Sequence, residues 1–270
     1  MTFLTVVGHV NVDIIFDVKE IPSFGSEEIK GVDRKLGGTG ANIARYASIL
    51  GTPVELISRV SRRFPEDLLN LLRNENLKLS LERAEEDGPT CYIADARNKQ
   101  IAFMLQGPMN AVGKSYEIDS AYCHFASSNP DWILNLIKRS KSINVLDPGQ
   151  EIRYRWKREK LTEAVRLADL VILNEYEFNY LSSFIKLESE KTIVTLADRG
   201  AIFKDELIGT DKVPARSTLG AGDMFRGALY AALYRGKGMR EAIKCANKVT
   251  GFYLKNNMDV SLKFKWEEMC

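Results

Sequence analysis

The sequence predicts an α/β fold: a mostly parallel sheet covered by helices on both faces, with a small separate β-layer standing off it. Three observations predict it. Short β-branched runs alternate with helix-length amphipathic runs along most of the chain. The 270 residues, 45% of them apolar, are enough to bury a core without a disulfide framework or a structural metal. Two stretches break the alternation and show no helical period.

The elements follow in order. Residues 3–10 read as the first strand. Residues 41–50 read as a helix, with Ile43, Tyr46, Ala47 and Leu50 on one face and Gly51 as the stop. A strand at 54–60 precedes a helix at 65–74 carrying Leu68, Leu69, Leu71 and Leu72. Later strands fall at 122–126, 143–147, 170–173 and 192–196, with helices at 132–139 and 158–167 among them. Helices at 221–234 and 240–254 close the chain. The off-rhythm stretches are about 12–36, with strand-like Ile14, Ile15 and Phe16, and about 90–106, a hairpin turning at Arg97, Asn98 and Lys99. We expect them to be insertions in a single domain spanning 1–270, forming a lid or a dimer contact.

Several function classes are disfavoured early. Thirty-eight basic against 36 acidic residues give a net charge of +2, which argues against a nucleic-acid partner. No apolar run approaches the roughly 20 residues of a membrane span, and the N-terminus lacks a signal peptide's basic region. Cys91, Cys123, Cys245 and Cys270 are scattered without a CxxC pair, which predicts free thiols in a reducing cytosol. With only His9 and His124 to join them, a zinc site is not expected. A cytoplasmic protein without a protein-bound metal is the expectation.

Three glycine-rich segments compete as anion sites. The run from Gly107 to Ser115 ends in Gly113-Lys114-Ser115, but it has five residues between its glycines where a phosphate loop needs four, and no long helix follows. Gly38-Thr39-Gly40 lacks the third glycine of a dinucleotide fingerprint. Gly220-Ala221-Gly222-Asp223 opens directly into a helix with Phe225, Ala228, Leu229, Ala232 and Leu233 on one face. Amides at a helix N-terminus attract an anion, and Asp223 in the first turn can accept a proton from whatever lies before the loop. That pairing suits phosphoryl transfer to a hydroxyl. An ordinary glycine turn with an aspartate stabilising the helix start accounts for it equally well.

The segments Gly37-Gly38-Thr39-Gly40-Ala41-Asn42-Ile43-Ala44 and Ser217-Thr218-Leu219-Gly220-Ala221-Gly222-Asp223-Met224-Phe225 closely resemble the two signatures of the ribokinase-like (PfkB-type) carbohydrate kinases. Asp147-Pro148 with Arg153 and Trp156, Asn174-Glu175-Tyr176-Glu177, and the run from Thr195 to Ala201 look like intermediate landmarks, so the resemblance runs from about residue 8 to 260. It implies a three-layer α/β/α sandwich with a small β-sheet lid. The implied activity is phosphorylation of a hydroxymethyl group on a sugar, or on a nucleoside, using ATP and magnesium. A non-catalytic sugar- or nucleotide-binding protein on the same fold is the alternative from another class.

By the same resemblance Asp223 is the catalytic base, and Gly220, Ala221 and Gly222 hold the transferring group. Asn11 and Asp13, with Gly37, Gly38, Thr39 and Asn42, form the acceptor pocket. The i, i+2 spacing of Asn11 and Asp13 puts both on one face of a continuing strand, able to grip adjacent hydroxyls; a strand-end turn also fits. Asn174 and Glu177 are implied in ordering magnesium and phosphates, although Asn-x-x-Glu is also a capping box. Thr195, Gly200 and Asn247 are implied on the nucleotide side, where Asn247 could equally lie on a solvated helix face.

Ser217 departs from the family pattern, standing where an aspartate usually helps a monovalent-cation site. Arg62 and Arg63 could meet an anionic group or lie in a solvated loop. Tyr92, Phe103, Met104, Gln106 and Met109, placed in the lid, could stack on a base or pack one lid against another in a homodimer.

Overall fold

The computed structural model describes residues 1–96, 99–214 and 218–270. Ser217, and Arg97 and Asn98 of the expected hairpin turn, lie outside the described residues.

A nine-stranded sheet forms the centre. Its strands are β1 (Leu4–Val7), β4 (Val54–Ser61), β5 (Leu77–Ala84), β8 (Tyr122–Phe125), β9 (Ile143–Leu146), β10 (Leu170–Asn174), β11 (Thr192–Thr195), β12 (Ala201–Phe203) and β13 (Glu206–Ile208). Their order is β13-β12-β11-β10-β9-β8-β1-β4-β5. Pairing is parallel from β5 to β11, and β12 and β13 add an antiparallel edge. All four residues of β1 are buried, which is what a short central strand covered on both faces requires. Because β4 lies to one side of β1 and β8 to the other, the strand order reverses there. The crevice beyond the C-terminal end of such a switch point is where open α/β sheets bind ligands.

Helices cover both faces. On one, α1 (Thr39–Ile49), α7 (Ala221–Tyr234) and α8 (Met239–Lys255) bury Ile43, Ala47, Ala228, Leu229 and Val249 against Leu4, Val6 and Leu56. On the other, α3 (Pro130–Ile137), α5 (Arg158–Leu167) and α6 (Glu175–Ser182) bury Trp132, Ile133, Leu161 and Leu181 against Phe125 and Leu146. The short helices α2 (Glu66–Asn70), α4 (Ile152–Arg155) and α9 (Trp266–Met269) complete the described set. No described helix is long and apolar enough to cross a membrane.

The off-rhythm stretches form a second sheet of four strands, β2 (Asn11–Val18), β3 (Ile29–Gly37), β6 (Thr90–Ala96) and β7 (Lys99–Leu105), in the order β3-β2-β6-β7. The first strand ends at Val7, and the chain enters this second sheet at Asn11.

Other expectations are corrected. The helix expected at 65–74 shrinks to Glu66–Asn70, because Leu71 and Leu72 close turns instead. β5 has polar Lys78, Ser80 and Glu82 along an edge, which hid it. Gly107–Asn110 is a 3₁₀ turn, and the Lys114 amide donates to Glu82 instead of opening a helix. Met109 is not in the small sheet but buried beneath β4. Arg62 and Arg63 pair with Glu85 and Asp87 on the surface.

The cysteine reading also fails in part. Cys91 and Cys123 are free, but Cys245 and Cys270 form a disulfide. Sequence spacing could not show that the C-terminal segment folds back along α8. Phe264 packs on Phe252 and Tyr253, the Tyr253 hydroxyl donates to the Leu262 carbonyl at 3.0 Å, and Arg235 lies 3.9 Å from the Trp266 ring centre.

Candidate active site

The two glycine motifs meet at the end of β1. Gly37 closes β3, and Gly38, with φ 95°, caps α1. Thr39 opens the helix, and the Ala41 amide donates to the His9 carbonyl at 2.9 Å. A Cβ on Gly40 would lie 2.7 Å from the Gly8 carbonyl carbon, so the helix can seat against the chain leaving β1 only without side chains there. Asn42, one turn in, is not solvated: its Nδ2 donates to Asp223 Oδ2 at 2.8 Å.

The late motif supplies that carboxylate. Gly220, with φ 79°, caps the 14-residue α7, and Ala221, Gly222 and Asp223 form its first turn. Gly222 is exposed and its neighbours half-buried; the Ala221 amide donates to the Thr218 carbonyl at 3.1 Å, and the Gly222 and Asp223 amides, in the first turn, have no acceptor within the helix and can meet a ligand. Burial pushes the Asp223 pKa up to about 6; Arg226 and the Asn42 bond oppose the shift, and Asp147 adds to it.

Asn11 and Asp13 lie on one face of β2. Asp13 is pushed up to about 6 by burial and by Asp223. Among the described residues, Asn11 Oδ1 and Asp13 Oδ1 are buried without a hydrogen-bond partner. Buried polar atoms left this way are costly, and a ligand hydroxyl would satisfy them.

On the other side of Asp223, Asn174 and Glu177 do form a capping box. The Glu177 amide donates to Asn174 Oδ1, and the Asn174 amide donates to Glu177 Oε2, both at 2.8 Å. Burial, with Asp147 nearby, pushes Glu177 up to about 7. Thr195 ends β11 with its hydroxyl 3.4 Å from the Leu173 carbonyl. Asn247 is buried, not solvated, and donates to the carbonyls of Ile208 (2.9 Å) and Gly209 (3.2 Å). Gly200 lies buried against the same two residues. Gly200 and Asn247 therefore shape the loop after β13, while Asn174, Glu177 and Thr195 stand at the ends of β10 and β11.

The sequence reading missed two groups. Arg226 is buried one turn below Asp223; it forms an ion pair with Asp147 and donates to the Gly222 carbonyl at 3.0 Å. Its i+3 spacing from Asp223 was a usable signal. His124, kept neutral by burial, stands 3.4 Å from Asp147 and shares a 2.8 Å hydrogen bond with Tyr230. The second group is His9, Glu151 and Arg155, which gather with the already singled-out Gln106 from three separate segments; the i, i+4 spacing of Glu151 and Arg155 was the one local signal.

A half-exposed helix N-terminus, a carboxylate of raised pKa in its first turn and the unpaired oxygens of Asn11 and Asp13 form a candidate site whose chemistry suits moving an anionic group onto an alcohol. The relatives agree with that class. The model of the pfkB family of carbohydrate kinases matches residues 1–257, and the chain belongs to this family of phosphotransferases. It is 32% identical to a nucleoside kinase of Thermoplasma acidophilum, over 90% of this chain and 86% of that one. The crystal structure of Methanocaldococcus jannaschii nucleoside kinase, an archaeal member of the ribokinase family, shares the fold with a TM-score of 0.80 at 24% identity, covering 100% of this chain and 97% of that one. A Cryptococcus neoformans ribokinase in complex with ADP does so at 0.79 and 18% identity, covering 99% and 96%.

Proposed function

We propose that this chain is an ATP-dependent nucleoside kinase that phosphorylates the hydroxymethyl hydroxyl of the ribose. The single observation carrying the reading is the Asn42–Asp223 hydrogen bond, which ties the acceptor motif to the base at the open end of α7. The relative named as a nucleoside kinase, alignable over most of both chains, is consistent with a nucleoside as the acceptor.

In this reading Asn11 and Asp13 grip the ribose hydroxyls, with Gly37, Gly38 and Thr39 forming the adjoining wall. Asp223 takes the proton from the reacting hydroxyl; its raised pKa keeps it basic enough near neutrality. The amides of Gly220, Gly222 and Asp223 hold the negative charge, and the Ala221 amide, which donates to the Thr218 carbonyl, holds the loop that presents them. ATP with magnesium supplies the phosphoryl group and screens its charge when bound. The residues fit that pair: the amide cradle is open, and Glu177 with Asn174 stands at the end of β10 to reach a hydrated cation. Among the described residues no cluster of three carboxylate, imidazole or thiol groups could hold a metal, so the cation would come with the nucleotide. Thr195, with the loop shaped by Gly200 and Asn247, borders the nucleotide. The small sheet acts as the lid. Its outer face carries exposed Val32, Tyr92, Phe103 and Leu105, the surface for a homodimer.

The test is ADP release over nucleosides and free sugars at matched concentrations. Nucleosides are expected to be the better acceptors by kcat/KM. A preference for free ribose would replace this reading with a sugar kinase, and absence of turnover with any acceptor would leave a binding protein.

A further inference from the structure

The acceptor side extends beyond the ribose-gripping pair. Strand register sets Asp13 beside Cys91 and Cys91 beside Met104, so these three share one face of the small sheet. Tyr92 and Phe103 share the opposite face. Asp13 feels the charge of Asp223, so the Asp13–Cys91–Met104 row faces the site. The Cys91 thiol is pushed up to about 12 by burial and by the carboxylates of Asp13 and Glu151, so it stays neutral and lies between them.

Past this row stand Gln106 and Glu151, both buried. Gln106 Nε2 donates to Glu151 Oε1 at 2.5 Å, and the Tyr154 hydroxyl donates to the same oxygen at 2.7 Å. Arg155 is fixed by donating to Asn110 Oδ1 (2.7 Å) and the Met109 carbonyl (2.8 Å), and its Nε stops 3.7 Å from Glu151 Oε2. His9 Nδ1 stops 3.9 Å from that oxygen. Arg155 Nε is left without a hydrogen-bond partner at that distance, and Gln106 stands close enough to His9 to favour its proton. Among the described residues, Glu151 Oε2, Gln106 Oε1 and His9 Nε2 are likewise buried with no hydrogen bond of good geometry. Two of these three are acceptors by chemistry, since an ionised carboxylate and an amide oxygen can only accept. Native interiors rarely leave such atoms unmatched, and here they sit at the end of the acceptor row.

We propose that Gln106 and Glu151 read the edge of the acceptor's nucleobase and select bases that present N–H donors, with Cys91 and Met104 as the soft surface against the ring. The proposal rests on the nucleoside reading above. A site built to accept hydrogen bonds rejects an analogue lacking the donor, because its own buried acceptors are then left unpaired.

The experiment compares kcat/KM within two pairs, adenosine against purine riboside and inosine against 1-methylinosine, with free ribose alongside. Each pair differs at a base N–H. Wild type is expected to prefer the donor-bearing member by about tenfold or more, and Glu151→Gln and Gln106→Met each to cut that preference to less than about threefold. A ratio within one preparation does not depend on how much of a variant is folded. A wild-type ratio near one, or an unchanged ratio in both variants, overturns the proposal while leaving the nucleoside reading intact. Turnover of ribose with none of the four nucleosides overturns both.

Discussion

The two glycine motifs use the same residue for opposite purposes. In the early one the missing side chains are replaced by protein: a Cβ on Gly40 would meet the backbone of Gly8, and one on Gly38 would meet the His9 carbonyl oxygen at 2.5 Å. In the late one the neighbours are side-chain ends: among the described residues a Cβ on Gly220 would meet the Tyr46 hydroxyl at 3.3 Å and the Met258 methyl at 4.0 Å, and one on Gly222 the Arg226 Nη1 at 2.9 Å. The first motif is a packing device that seats α1 on the exit of β1. The second sets glycines at a helix N-terminus against movable side-chain ends instead of backbone, which suits the proposed anion site. Sequence signatures do not distinguish these roles; neighbouring atoms do.

The sharpest break of this comparison lies in the late motif. Asp223→Asn keeps the Asn42 contact sterically but removes the base, so turnover is expected to fall about 10³-fold. Its melting temperature is expected to hold or rise, because a half-buried charge is lost. A variant that keeps more than a tenth of wild-type turnover would remove the base from the late motif.

Next comes Gly40→Ala in the early motif. Backbone stands on the other side of the contact, so relief requires moving α1 away from β1. The expected cost is about 3 kcal/mol, read as a drop of roughly 6–12 °C in melting temperature. A loss of activity with unchanged stability would mean that this motif is a ligand surface like the other.

Much of this was legible, and the gaps have physical reasons. Helices at 158–167 and 221–234 are legible to their ends because their apolar periods are uninterrupted and the flanking residues leave the helical conformation at once. Asp223 and Asn42 could be singled out separately, but the hydrogen bond joining them spans 181 positions. Edge strands β5 and β13 escaped because one side of each lacks the buried run that marks a central strand, and β12, paired on both sides, because it is only three residues long. Gln106 could be singled out with the lid residues, but its pairing with Glu151 carries no pattern, since a buried polar pair formed by two distant loops leaves no period. The disulfide escaped for the same reason: Cys270 reaches Cys245 only after the C-terminal segment turns back.

Gly220→Ala should have a smaller effect, opposite in kind to Gly40→Ala. A side chain at φ 79° costs about 1–2 kcal/mol, and the new methyl group narrows an open cradle instead of colliding with backbone. Expected are a loss of about tenfold in kcat/KM, from one weakened amide contact, and a melting temperature lower by only a few degrees. Equal damage to stability from the two substitutions would erase the distinction between the motifs.

The smallest effect is a pH dependence, and it tests whether the late motif's carboxylate is as enclosed as the packing implies. With Asp223 at about 6, kcat/KM should reach half its plateau near that pH and fall tenfold per unit below it, so the change from pH 7 to 6 is only about twofold. The stability contribution runs the other way from that of a salt-bridged carboxylate. Its pKa rises on folding from the ordinary 3.8 to about 6, so the folded state binds more protons in that window. The favourable contribution is full below 3.8, declines as pH rises towards 6, and is lost above it. Asp223→Asn should therefore gain most over wild type, in melting temperature, at about pH 7.5 and little at about pH 4. An acid limb near 4 in the kcat/KM profile, with no pH-dependent gain from Asp223→Asn, would place this carboxylate in water. The late motif would then be as open around its base as around its glycines.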